Sequence, residues 1–186
     1  MSITRWPAAA AAAVIVMAGA ACGYGASAPA AQPSSSPVRP LPTGQLTAQD
    51  RTWLGQAHQG NLAEGELGEL ARSKSTSPQV QSEGAMLVDA HTQMEQSLVT
   101  TAHRLDVKLP PGPTAEQAAK RQELAGLTGP AFDNELVADL ITDHQQAIGM
   151  TQYEVNHGSD PVVKGMAQQA IPEMQKHLDI LKQAQH

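Results

Sequence analysis

Aromatic side chains make up only 3% of this chain, and cysteine occurs once, at Cys22. A core built on large rings is therefore excluded, and apolar volume has to come from Leu, Ile, Val, Met and Ala. A lone cysteine excludes a disulfide framework, so the fold must stand on its core alone. Lys and Arg number 12 against 18 Asp and Glu and form no cluster, which speaks against nucleic acid as a partner. The resulting acidic surface keeps the domain soluble and repels anionic lipid. Strand-like alternation of β-branched residues is missing as well, and with it the case for a sheet.

Long apolar runs are also scarce. The one present, Ala8 to Ala21, is alanine-rich and short for a membrane span. With Arg5 before it, the run has the layout of an export signal over residues 1–21. It ends "AGAA" before Cys22, which resembles a bacterial lipobox, with Gly19 where an aliphatic is usual. The expectation is an acylated Cys22 that anchors the mature chain to the extracytoplasmic side of a membrane. Ordinary cleavage after Ala20 or Ala28, giving a secreted or periplasmic protein, is the alternative, and Pro29 disfavours the second site. Loss of Arg5 with the leader makes the formal charge of −6 one unit more negative. Residues 22–46, rich in Pro, Ser, Ala and Gly, bury too little to fold and read as a disordered tether.

Residues 47–185 then form one domain of four long helical segments with clear punctuation. Thr47 opens the first, to about Ser73, and Ser77-Pro78 opens the second, to about Leu105. The third follows Gly129-Pro130 and ends at His157-Gly158, with the glycine expected in the C′ position. Asp160-Pro161 starts the fourth. Thr114-x-x-Gln117 is a capping box for a short extra helix in the long connection between the second and third. The expected fold is all-α, a ferritin-like four-helix bundle with a long crossover connection.

The apolar seams carry polar interruptions. The second helix reads Val80, Gly84, Leu87, His91, Met94, Leu98, Thr101, Leu105, and the third Val137, Ile141, His144, Ile148, Thr151, Val155. In the fourth, His177 takes a slot between Met174 and Leu181, and in the first Glu64 lies between Asn61 and Gly68. One ligand-capable side chain per helix points to a candidate transition-metal site of Glu64, His91, His144 and His177, for copper, iron, zinc or manganese. At ~1.5 Å per residue, Glu64 lies roughly 6 Å and His177 about 7 Å past the middle of its helix. Those offsets reach one end together only if the second and third helices run parallel, as a crossover requires. Asp143 and Glu173 are candidates to orient the rings from behind. The alternative is that the histidines are buried polar pairs fixing helix register. Glu154-x-x-His157 is the lone Glu-x-x-His pair, where a di-iron carboxylate site needs two. No catalytic residue is assigned.

"FDNELVADLITDHQQAI" and "SDPVVKGMAQQAIPEMQKHL" resemble the four-one-four-two family of domains of unknown function, exported bacterial proteins with a ferritin-like bundle. Phe132, Asp133, Asp143, His144, Pro172, His177 and Leu178 carry the likeness, and Glu64 falls at the family's acidic position in the first helix. Ala90-His91-Thr92 departs from an Asp-His-Thr triplet. "DHQQAIGM" is similar, over a shorter stretch, to a motif of the three-oh-five family, whose exported bundles are often associated with copper. On that likeness Met86, Met94, Met150, Met166 and Met174 offer soft sulfur for Cu(I); the stronger alternative is that they fill gaps in an aromatic-poor core. The function expected is an envelope protein whose seam residues hold a metal. The competing expectation is a structural or interaction protein of the envelope without metal, its protein partner unidentified.

Overall fold

The computed structural model describes residues 44–185, so the expected leader, Cys22 and most of the tether lie outside the described residues. Every regular element among them is a helix: α1 (Ala48–Lys74), α2 (Pro78–Arg104), α3 (Ala115–Gly126), α4 (Gly129–His157) and α5 (Pro161–Gln183). The caps do what their residue types dictate. Thr47 and Asp50 close a capping box on α1, and Thr114 and Gln117 close another on α3. Ser77 and Asp160 accept the first free N–H groups of α2 and α5, each with proline in the first turn.

Contacts between helices fix their directions. His58 meets Glu95 while Gly68 meets Gly84, so α1 and α2 are antiparallel. Trp53 donates to Thr151 and Glu64 meets His144, which makes α1 and α4 antiparallel. Leu98 packs with Val163 and Ala167, and Leu87 with Leu178 and Leu181, so α2 and α5 are antiparallel too. With the α4–α5 hairpin, this leaves α2 and α4 parallel, and the connection from Leu105 to Thr128 must cross the bundle. This is the ferritin-like crossover. Within it α3 is held by buried Leu124, by Lys120 reaching Asp139 at 3.4 Å and by Arg121 reaching Glu66 at 3.1 Å.

Two glycines set how closely α1 and α2 approach. A Cβ on Gly84 would lie 2.6 Å from the Gly68 carbonyl oxygen, and one on Gly68 2.8 Å from that of Gly84. Neither tolerates a side chain without the helices parting. Pro172 lies inside α5, which runs unbroken through it; both Pro172 and Gln168, whose carbonyl loses its usual donor, face solvent.

Apolar side chains form two clusters, one around Leu87, Phe132, Leu136 and Leu181, the other around Trp53, Leu54, Leu98 and Val163. Leu46, counted in the tether by composition, packs on the second, and Gly44 abuts Ser159 and Pro161. The bundle thus begins a few residues earlier than the helical pattern implies.

The turn end of the α4–α5 hairpin is held by carboxyl groups. Asp50 is fully buried and accepts the backbone N–H groups of Ser159 (2.9 Å) and Asp160 (3.1 Å), as well as that of Thr47. Burial pushes its carboxyl up, but the hydrogen bonds from Thr47, Asp160 and Ser159 outweigh this and hold it down at about 2. Glu154, also fully buried, takes one hydrogen bond from Gln49 (3.0 Å). Burial and the neighbouring Asp50 push it up to about 7. Gly158 is the C-cap with φ −65°, not a left-handed C′ residue. Space explains it: a Cβ there would run into the Glu154 carboxyl.

Candidate metal centre

Between the two apolar clusters lies a polar layer in which each long helix contributes one side chain. Glu64, His91, His144 and His177 are all at most 5% exposed. The predicted four therefore do meet. Nitrogens of His91, His144 and His177, one per ring, lie within 4.8 Å of one another, and the ring centroids are 5.5 to 5.8 Å apart.

Hydrogen bonds to the far side of the rings decide which nitrogens are free. Asn61 donates through its amide to Glu95 (3.3 Å), which turns its oxygen toward His91 Nδ1 at 3.2 Å. His91 Nδ1 is then an N–H donor, and Nε2 is the nitrogen turned toward Glu64. His144 Nδ1 donates to the Leu140 carbonyl at 2.9 Å, which leaves its Nε2 as an acceptor, hydrogen-bonded to His177 Nδ1 at 3.4 Å. Two ligands of a tetrahedral ion with bonds of ~2.05 Å are separated by about 3.3 Å, so that spacing fits a shared metal.

Glu64 occupies the remaining side. Its Oε2 is 3.2 Å from His91 Nε2 and 3.0 Å from His144 Nδ1. The first contact is at ion-pair distance without hydrogen-bond geometry, and both atoms are buried with no hydrogen-bond partner. Two buried polar atoms thus lie close together in a dry interior without a partner from the chain. Leaving both so is costly unless a proton or a cation satisfies them. Glu64 approaches His144 from the Nδ1 side, so it backs that ring as an orienting carboxylate while facing His91 directly.

The protonation states suit a cation. Burial and the adjacent imidazoles push His177 down to about 4, and burial lowers His144 against the pull of Glu64. Burial would raise the Glu64 carboxyl, but the facing His91 and His144 rings hold it below its usual value. His144 and His177 are thus held toward the neutral imidazole and Glu64 toward the carboxylate, the forms that metal binding requires.

The two expected orienting groups are placed otherwise. Asp143 is half-buried, and burial and the nearby Glu64 push it up to about 6. It bonds no ring; the Leu140 carbonyl and Glu64 take that part because Nδ1 of His144 points back along α4. Glu173 faces solvent and pairs with Lys176 at 3.9 Å. Glu154 and His157 diverge: the first turns into the hairpin end, and the second stacks on exposed Tyr153, centroids 3.9 Å apart.

Sequence reasoning missed the support of His91. His58 bridges Glu95 (2.6 Å) and the carbonyl of Pro110 (3.1 Å), so a polar chain runs from the crossover through Glu95 and Asn61 to the centre. The signal was present: Asn61 is a polar residue in a seam slot.

A cleft of about 470 Å³ opens beside the layer and is lined by Glu64 and His91 at its floor, with Trp53, Asp143 and several methionines along its walls. No helix among the described residues is long and apolar enough to cross a membrane.

Residues 35–184 match the family described as Domain of unknown function (DUF4142), and the chain belongs to it. A search of the curated proteins finds no match. Among solved structures, the chain is similar to the crystal structure of a DUF305 fragment from Deinococcus radiodurans. The TM-score is 0.68 at 16% identity, covering 75% of this chain and 97% of that one. At that identity the likeness shows the fold alone, a helical bundle.

Proposed function

We propose, taking membership of that family as the premise, that the bundle is an extracytoplasmic transition-metal-binding module. His91, His144 and His177 hold the ion, with Glu64 beside them as fourth ligand or orienting carboxylate. One observation supports this above others: His91 Nε2 and Glu64 Oε2 are both buried, lie 3.2 Å apart and have no hydrogen-bond partner in the chain. A register-fixing polar layer would instead pair donor with acceptor throughout. Three imidazoles and a carboxylate suit zinc, copper, iron or manganese. Calorimetric titration of protein purified without a histidine tag tests the reading, with one equivalent bound expected. Absence of stoichiometric binding by all four metals leaves the layer a structural one.

Attachment through a lipid on Cys22 is part of the same proposal, motivated by the small residues before that cysteine and the proline-rich stretch after it. The Cys22→Ala protein is expected to leave the membrane fraction. Unchanged membrane association rules the anchor out.

A further inference from the structure

Beside the polar layer the bundle is underfilled. Ala57, Ala147 and Ala170 stand there, where the cluster beyond the layer has Leu87, Leu136 and Leu181, and the missing volume is the cleft of about 470 Å³. Exposed Gln56 and Gln146 flank it where α1 meets α4, and exposed Gln93 and Gln169 where α2 meets α5. The cleft therefore passes between the two hairpins and opens on both sides. Its size suits an organic molecule rather than a single ion. Charge along it has one sign. Asp143 stands at the α1–α4 mouth, Glu64 inside and Glu173 at the α2–α5 mouth, and no Lys or Arg is among the described residues lining it. Glu173 has Lys176 at 3.9 Å, both of them well exposed. Glu64 is 5% exposed, and its Oε2 receives no hydrogen bond from the chain. The three carboxylates are too spread to share one ion: among the described residues, the three imidazoles are the group whose ligand atoms lie within 4.8 Å of one another. Between the carboxylates the walls are apolar, formed by Trp53, Met94 and Leu98. Separated negative charges joined by an apolar passage match positive charges separated by methylenes.

We infer that this cleft binds a linear aliphatic polyamine, its chain lying between the hairpins, with one ammonium donating to Glu64 Oε2 and others near the carboxylates of the mouths. The methylenes lie against the apolar walls, and the ammoniums satisfy carboxylates that the chain leaves short of donors. A chain of the same length with neutral or anionic ends gains nothing from those carboxylates. The site stands on the cleft and needs no ion in the histidine layer. Glu64 is common to both, so the test is run on metal-free protein.

The full chain, labelled with ¹³C at the alanine methyls, is titrated with the triamine spermidine, and separately with octanoate and a linear octanediol. One equivalent of spermidine is expected to bind, more weakly as salt is added, with no binding of the other two. The methyl signals of Ala147 and Ala170 are expected to move, and that of Ala71, buried between α1 and α2, to stay. In the A147L/A170L protein, which fills the cleft, spermidine affinity should fall by on the order of tenfold or more while Zn(II) binding persists. Unmoved Ala147 and Ala170 methyls overturn the inference, any remaining heat then being loose attraction to an acidic surface. Equal binding of octanoate or the diol overturns it too, as does wild-type affinity in the filled variant. The methyl titration needs no variant, so it decides even if the filled protein fails to fold. The two readings fail differently. If the histidine layer holds no metal, Zn(II) does not bind, yet the cleft methyls still respond to spermidine. If the cleft is inert, Zn(II) binds and spermidine moves no methyl.

Discussion

Two buried polar clusters in this bundle solve the same problem in opposite ways. At the α4–α5 hairpin end, Asp50 takes N–H groups from Thr47, Ser159 and Asp160 and is fully committed as an acceptor. In the middle, one hydrogen bond joins His144 Nε2 to His177 Nδ1, but His91 Nε2 and Glu64 Oε2 are buried with no partner from the chain. The first cluster is satisfied by the chain itself, as a structural element is. The second keeps two buried polar atoms without a partner from the chain. Buried polarity alone therefore does not mark a candidate site; the atoms it leaves unpartnered do.

The largest expected difference comes from removing one member of each cluster. His144→Leu should lower metal affinity by on the order of a thousandfold or more, with thermal stability unchanged or raised, because an apolar side chain suits that slot. Retained binding in the Leu variant would mean that the histidines do not share an ion. Asp50→Ala should do the reverse, lowering unfolding free energy by about 3 kcal/mol through orphaned N–H groups while stoichiometry of metal binding is kept. Chemical denaturation measures this, and a loss below ~1 kcal/mol would show the hairpin end to be capped by water instead.

Next in size is Asn61→Ala, which frees His91 Nδ1 and should weaken metal binding about 10- to 100-fold without abolishing it. Equal affinity in a calorimetric titration would show that the chain from Glu95 through Asn61 carries no influence on the ring.

The smallest effects separate the clusters by pH. His177 binds its proton at about 4 when folded against 6.5 in the open chain. The unfolded state takes up the proton first, so stability present above about 6.5 is lost as pH falls toward 4. Glu154 runs the other way. It is held near 7 against 4.5, so stability is greatest below about 4.5 and falls as pH rises to 7. In thermal melts of metal-free protein, Glu154→Gln should gain most over wild type at pH 7 and above, and least near pH 4.5. A gain independent of pH would show that Glu154 is ionised in the folded chain.

Much of the frame was legible because helix punctuation is local chemistry. Thr47, Ser77-Pro78, Thr114 with Gln117 and Asp160-Pro161 each open a helix where their residue types require. The four inward-facing ligand candidates were legible too, since a seam slot and an axial level follow from periodicity and rise. Three features were not. The third helix buries Glu154 rather than Val155 beneath the hairpin, a choice made by Gln49 and Asp50 on a distant helix and not by local pattern. The closure of the hairpin by Asp50 spans 109 residues of sequence to Ser159 and has no local signature. Which ring nitrogen faces inward depends on the Leu140 carbonyl and Asn61, so Asp143 and Glu173 looked like partners by adjacency alone.

The crossover has a consequence for the order of events. Glu64 and His91 belong to the first hairpin and His144 and His177 to the second, and both hairpins are built from contacts close in sequence. Local pairs form early and distant ones late, so each hairpin can assemble while the ligand set is still split between them. The layer exists only after the hairpins dock, so on the metal-binding proposal an ion would enter last. A chain that finished folding in one compartment would then carry the metal of that compartment rather than of the one in which it was made.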